Sequence, residues 1–149
     1  MIITSRDDPQ GDALGDEMAE IVRAALPDSR AAVGRGPRAE RTASLLATAQ
    51  AEVAIVPKGL ALAMFHGIDR FRDYGAIPLR VILQNDTHVL VSTTNFIDAH
   101  AYLLAEALLK NGAKLRLSLP SEAGGSLPPP HPGVVAYANG LPLEMPAGR

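Results

Sequence analysis

The stretch from Arg30 to Phe65 constrains the fold of this chain most. It holds two short apolar runs, Ala31–Val33 and Val53–Val56, and a chain breaker stops each: Gly34 after the first, Pro57 after the second. Between and beyond them the apolar residues change period. Leu45, Leu46 and Ala49, then Leu60, Ala61, Met64 and Phe65, recur at the spacing of a helix face. Strands that alternate with helices of this length build βαβ units, and βαβ units build a parallel sheet. In such sheets ligands bind at the carboxyl ends of the strands, where loops meet helix N-termini. That places two loops of interest here, Gly34–Arg38 and Pro57–Gly59.

The flanking segments extend the pattern. Ile2–Ser5 reads as a first strand, and Arg6–Gln10, which contains Pro9, as a loop. Gly11–Leu26 reads as a helix with Leu14, Met18, Ile21, Val22 and Ala25 on one face. Asp69–Gly75 is polar, with Phe71 and Tyr74 as expected anchors. Leu79–Leu83 and His88–Ser92 are β-rich runs separated by Gln84-Asn85-Asp86-Thr87, which reads as a turn or a crossing between strands. Thr94 or Asn95 is placed to cap a helix that runs to Lys110 and stops at Asn111-Gly112. Ala113–Leu119 reads as an edge strand or an extended connector. Residues 120–130 are rich in Pro, Gly and Ser and read as an exposed linker. His131-Pro132-Gly133 opens a last short helix, with His131 as its N-cap or a packing residue and Pro132 in its first turn, and a tail follows to residue 149. The expected organisation is an α/β lobe over 1–119, the linker over 120–130, and a C-terminal helix and tail packing on the same lobe. The fold class is a three-layer α/β sandwich with a mostly parallel sheet.

Composition narrows function by exclusion. With 149 residues, 47% of them hydrophobic, the chain suits one domain with a normal core. A net charge of −2 provides no electrostatic footprint for nucleic acid. There is no cysteine, hence no disulfide or thiol chemistry. The apolar stretches are too broken to cross a membrane, so direct insertion is not expected. The first residues, MIITSRDDPQGD, lack the basic start and long apolar region of a secretory leader. The compartment stays open: periplasmic if a leader has been removed, cytoplasmic otherwise.

Three loops carry the candidate ligand-binding residues. In Gly34-Arg35-Gly36-Pro37-Arg38, backbone amides at a helix N-terminus favour an anion, and Arg35 or Arg38 can clamp it. The same residues also read as a tight turn with solvated arginines. The spacing is neither a dinucleotide fingerprint nor a P-loop, so no nucleotide cofactor is expected. Ser5 and Arg6 follow the first strand, where Asp7 and Asp8 offset the charge. Lys58 begins a helix and offers a point charge. His66, His88, His100 and His131 form no metal-ligand spacing, and Ser5, Ser44, Ser92 and Ser118 sit in no nucleophile elbow. Neither a metal site nor an enzyme is expected.

Two motifs carry a family resemblance. Gln50-Ala51-Glu52-Val53-Ala54-Ile55-Val56 is similar to a Gly/Ala-Glu-Ala-Asp-Leu-Ala-Ile-Val strand, and His131-Pro132-Gly133-Val134 with Tyr137 is similar to a C-terminal His-Pro-Gly-Ala helix. Both belong to the TAXI-type solute-binding subunits of tripartite ATP-independent periplasmic (TRAP) transporters. Val89–Leu109 resembles the segment where that family's chain returns to its first lobe. The resemblance implies one lobe of a type 2 periplasmic binding protein, a small anionic solute such as a carboxylate, and a transporter membrane subunit or another protein as partner. It also implies what is missing. The family holds ligand between two lobes, whereas this chain passes from Leu83 almost directly to the return segment. One lobe leaves a ligand half exposed, so a homodimer is expected to close the site. The alternative is a non-catalytic interaction or regulatory domain that has lost ligand binding.

Overall fold

Ile2–Ser5 (β1), Val33–Gly36 (β2), Val53–Pro57 (β3), Leu79–Gln84 (β4) and His88–Thr93 (β5) form one five-stranded sheet in the computed structural model, which describes residues 1–120 and 127–143. The spatial order is β2-β1-β3-β5-β4. β1 pairs in parallel with β2 and β3, whereas β5 pairs antiparallel with both β3 and β4. Four strands therefore run one way and β5 alone runs back.

Strand alternation divides the core between the two faces. Ile2, Val53, Ile55 and Leu90 point to one side, where Pro9–Ala25 (α1), Asp98–Asn111 (α4) and Pro132–Ala138 (α5) supply Met18, Val22, Leu104, Leu108 and Val134. Ile3, Ala54, Val56, Val89 and Val91 point to the other, against Ala39–Ala47 (α2) and Lys58–His66 (α3) with Ala43, Leu46, Ala61 and Met64. A β-bulge between Val81 and Leu83 breaks the alternation in β4 and turns both Ile82 and Leu83 toward the α1/α4 side. The result is the expected three-layer α/β architecture.

Several boundaries move, each for a local reason. α1 begins at Pro9 instead of Gly11, because the Asp8 side chain accepts from Gly11 N–H and Pro9 occupies the first helical turn. β2 does not stop at Gly34. It runs through Gly34, Arg35 and Gly36, which pair with Ile3, Thr4 and Ser5, so the expected Gly-rich turn shrinks to Pro37-Arg38. Neighbour pairing outweighs the weak strand preference of glycine. Ala49 lies beyond the end of α2 with φ of 58°. α4 starts at Asp98 after Ile97, with neither Thr94 nor Asn95 as cap. Phe71 is an anchor, whereas Tyr74 is exposed. Ala113–Leu115 is a 3₁₀ turn, and the rest of the segment adds no strand, pairing with β4 through a single bridge from Ser118 to Gln84.

The expected linker falls partly outside the described residues, which omit 121–126. Its described end is not an exposed connector. Val81 N–H donates to Pro129 C=O at 2.8 Å, His131 N–H donates to Val81 C=O at 2.9 Å, and Pro128 is buried. Together with Ser118 these residues cover the outer edge of β4, and among the described residues β2 is the unpaired edge. The tail beyond residue 143 also lies outside the described residues.

α5 docks through a short clasp. His131 Nδ1 accepts from Gly133 N–H at 3.1 Å, so its proton sits on Nε2, which donates to Phe96 C=O at 2.6 Å. A Cβ on Gly133 would stand 2.1 Å from the Asp98 carbonyl oxygen, so α5 approaches α4 only because this residue is glycine. The His-Pro-Gly motif is thus occupied with helix docking.

Candidate functional site at the carboxyl edge of the sheet

β1, β2 and β3 end at the same edge, with Ser5, Gly36 and Pro57, and the antiparallel β5 starts there with His88. The β4–β5 turn also lies there. Its residue Asn85 accepts, through Oδ1, the amides of Thr87 at 3.0 Å and His88 at 2.8 Å. One edge therefore gathers the β1–α1 loop, the β2–α2 turn, the start of α3, and the hairpin.

The sequence-selected residues divide into three groups. Ser5 is buried and its hydroxyl donates to Asp7 Oδ1. Gly34, Arg35 and Gly36 lie inside β2 instead of in a loop. Arg35 is already paired: its Nε stands 2.7 Å from Asp12 and its Nη2 2.5 Å from Asp16, both on α1. The third group is Arg6, Arg38 and Lys58. Arg6 and Arg38 are exposed and Lys58 is half-buried. Among the described residues none of these three is held in an ion pair. Arg38 stands at the N-cap position of α2 and Lys58 is the first residue of α3, so these two cations flank helix N-termini.

Sequence reasoning missed three participants. Asp7 reaches across from the β1–α1 loop, and its Oδ2 accepts Ala39 N–H at 3.3 Å, so a carboxylate of the chain itself caps α2. Burial alone would raise the Asp7 pKa, but the Ser5 hydroxyl, the Ala39 amide and Arg70 together hold it below its ordinary value. Arg70, from the 3₁₀ segment Asp69–Tyr74, stands 2.6 Å from Glu40 and 3.5 Å from Asp7. The third participant is His88, buried beneath the edge, whose Nε2 lies 2.9 Å from Asp8 Oδ2. By sequence, Asp7 and Asp8 only offset the charge of Arg6. Nothing in their spacing reveals that one caps α2 and the other meets a residue eighty positions away.

A separate cavity of about 630 Å³ opens at the opposite, amino edge. Ile2, Val22, Leu26, Val53, Phe96 and Leu104 line it, with Asp28, Ser29 and His100 as its polar members. None of the sequence-selected residues borders it.

No protein-family model matches this chain, and no curated protein matches it. What the site can do is therefore argued from its own chemistry. Arg38 and Lys58 beside two helix N-termini, with Arg6 in the adjoining loop, are groups of the kind that favour an anion. Asp7 and Asp16 limit that attraction by occupying one first-turn amide and one guanidinium.

Proposed function

We propose that this protein is a single-lobe solute-binding domain, related to the TRAP-transporter receptors it resembles, that takes a small carboxylate or similar anion at the carboxyl edge. The observation that carries this reading is the strand order, with β5 as the only reversed strand and a tight turn at Asn85–Thr87 joining it to β4. A two-lobed receptor whose second lobe has been replaced by a hairpin has this form. Arg6, Arg38 and Lys58 then face the space the second lobe would have covered. A second copy covering that face completes the site, which makes a homodimer part of the proposal.

The test is a thermal-shift screen against amino acids, dicarboxylates, phosphate and sulfate, with light scattering on the same sample. Ligand that binds only the native state raises the melting temperature in step with its excess over Kd. The expected result is a rise with one carboxylate that Arg38→Ala and Lys58→Ala each abolish, in a sample that scatters as a dimer. No shift at millimolar ligand overturns the receptor reading. A second reading, a non-catalytic interaction or regulatory domain, is favoured by one observation: Asp7 and Arg35 are already satisfied within the chain.

A further inference from the structure

Thr87, His88 and Asp8 form a continuous hydrogen-bonded line that anion binding does not require. Thr87 Oγ1 lies 2.7 Å from His88 Nδ1. His88 Nε2 lies 3.1 and 2.9 Å from the two Asp8 oxygens. A carboxylate facing Nε2 holds the proton on that nitrogen, which leaves Nδ1 of the neutral ring to accept the threonine O–H. Asn85 Oδ1, at the longer distance of 3.3 Å, is a competing acceptor for the same hydroxyl proton. Burial is graded along the line. The His88 side chain is 5% exposed and that of Asp8 16%, whereas Thr87 is exposed in the hairpin. A buried base, oriented by a carboxylate and bonded to a hydroxyl that solvent can reach, is the arrangement that activates a nucleophile. Beside it stands the N-terminus of α3, which has no side-chain cap, and Lys58 N–H donates to the Thr87 carbonyl at 3.0 Å.

We infer that Thr87 is a nucleophilic hydroxyl that accepts an acyl group from an activated ester. Thr87 Oγ1 attacks the ester carbonyl carbon while its proton passes to His88 Nδ1. The carbon–oxygen bond to the leaving group breaks, and the departing oxygen keeps the electron pair and takes up that proton. Water then attacks the acyl-Thr87 ester, giving its proton to His88. The carboxylic acid departs, and Thr87 recovers its proton from the imidazolium. His88 is the base. Asp8 is a positioning residue, acting through the His88 ring. This inference goes beyond solute binding and does not rest on it.

The test uses p-nitrophenyl acetate with the full chain, reading both released nitrophenolate and the acetylated residue by mass spectrometry. The expected result is an acetyl group on Thr87 that Thr87→Ala abolishes and Thr87→Ser restores. His88→Gln lowers the acylation rate roughly 100-fold, the lower range for loss of a general base. Asp8→Asn keeps a capping oxygen for α1, so the fold holds, as far-UV circular dichroism checks. The same variant displaces the pH profile of acylation, which a purely structural Asp8 would not. Acetyl groups only on Lys58 or on the exposed His66 and His100, or Thr87→Ala reacting as fast as the parent, overturns the proposal. So does the absence of both an adduct and any nitrophenolate release that Thr87→Ala removes. A failed solute screen does not bear on this result, because a covalent adduct is read directly.

Discussion

At the scale of single residues, His131 shows how one buried side chain ties stability to pH. Burial is the main cause that lowers its pKa below the ordinary 6.5; Arg80 lowers it further, while the Phe96 carbonyl and Asp98 partly offset this. In the unfolded chain the ring protonates near its ordinary value, so below that point the unfolded state binds more protons than the folded one. Stability therefore falls as pH drops from 7 through the mid-6 range toward the depressed folded value. Asp7, Asp12 and Glu40 act in the same direction but lower down. Each is held below its ordinary 3.8 or 4.5, so the stability they add is present above those values and lost as pH falls through the folded ones. Urea unfolding at pH 7 and pH 5 separates the two windows. The parent chain is expected to lose stability over this interval, and His131→Gln is expected to start lower at pH 7 and change less. An equally steep loss in the variant would remove His131 from the account.

At the scale of elements, two neighbouring carboxylates of the β1–α1 loop cap two helices, one of them distant in sequence. α1 is capped by Asp8 and α2 by Asp7, while Arg38, at the N-cap position of α2, contributes no side-chain bond. A run of two aspartates at the end of β1 thus governs two helices. Asp7→Ala is expected to destabilise the protein by about 1 kcal/mol, the usual cost of losing a cap. It also releases Arg70 from one of its two carboxylates. Hydrogen exchange should show faster exchange at the first turn of α2 with α1 unchanged, because Asp8 is untouched. Protection unchanged at Ala39 would mean that the 3.3 Å bond contributes nothing.

At the scale of the whole molecule, the hairpin between β4 and β5 is the point where topology and the proposed ancestry meet. Asp86 is exposed at its tip. If the hairpin stands where a second lobe was once inserted, it should accept added chain. Ten Gly/Ser residues placed after Asp86 should cost about 1.3 kcal/mol in loop-closure entropy, beyond the loss of the Asn85 bonds to Thr87 and His88. A melting curve settles this, and loss of cooperative unfolding would show that the tight turn itself drives strand pairing.

Much of the architecture was legible in the sequence because periodicity is a local property. The apolar runs at Ile2–Ser5, Val53–Val56, Leu79–Leu83 and His88–Ser92 became strands, and the stripe at Met18–Val22 became a buried helix face. The same local signals left two readings each for His131 and for the segment before His88, and the structure makes the first a cap and the second a turn that begins after Gln84. Pairing between distant segments was not. Gly34, Arg35 and Gly36 look like a loop until β1 lies beside them. Arg35 looks like a free cation until α1 brings Asp12 and Asp16 to it. Residues 127–130 look like linker until β4 offers an unpaired edge. The residue pattern by itself determined which segments become helices and strands, because hydrophobic spacing and chain breakers act within a few residues. Only the tertiary structure decided which charges cancel, which helix ends are filled and which hydroxyl meets a histidine, because those outcomes depend on groups that the fold brings together from far along the chain.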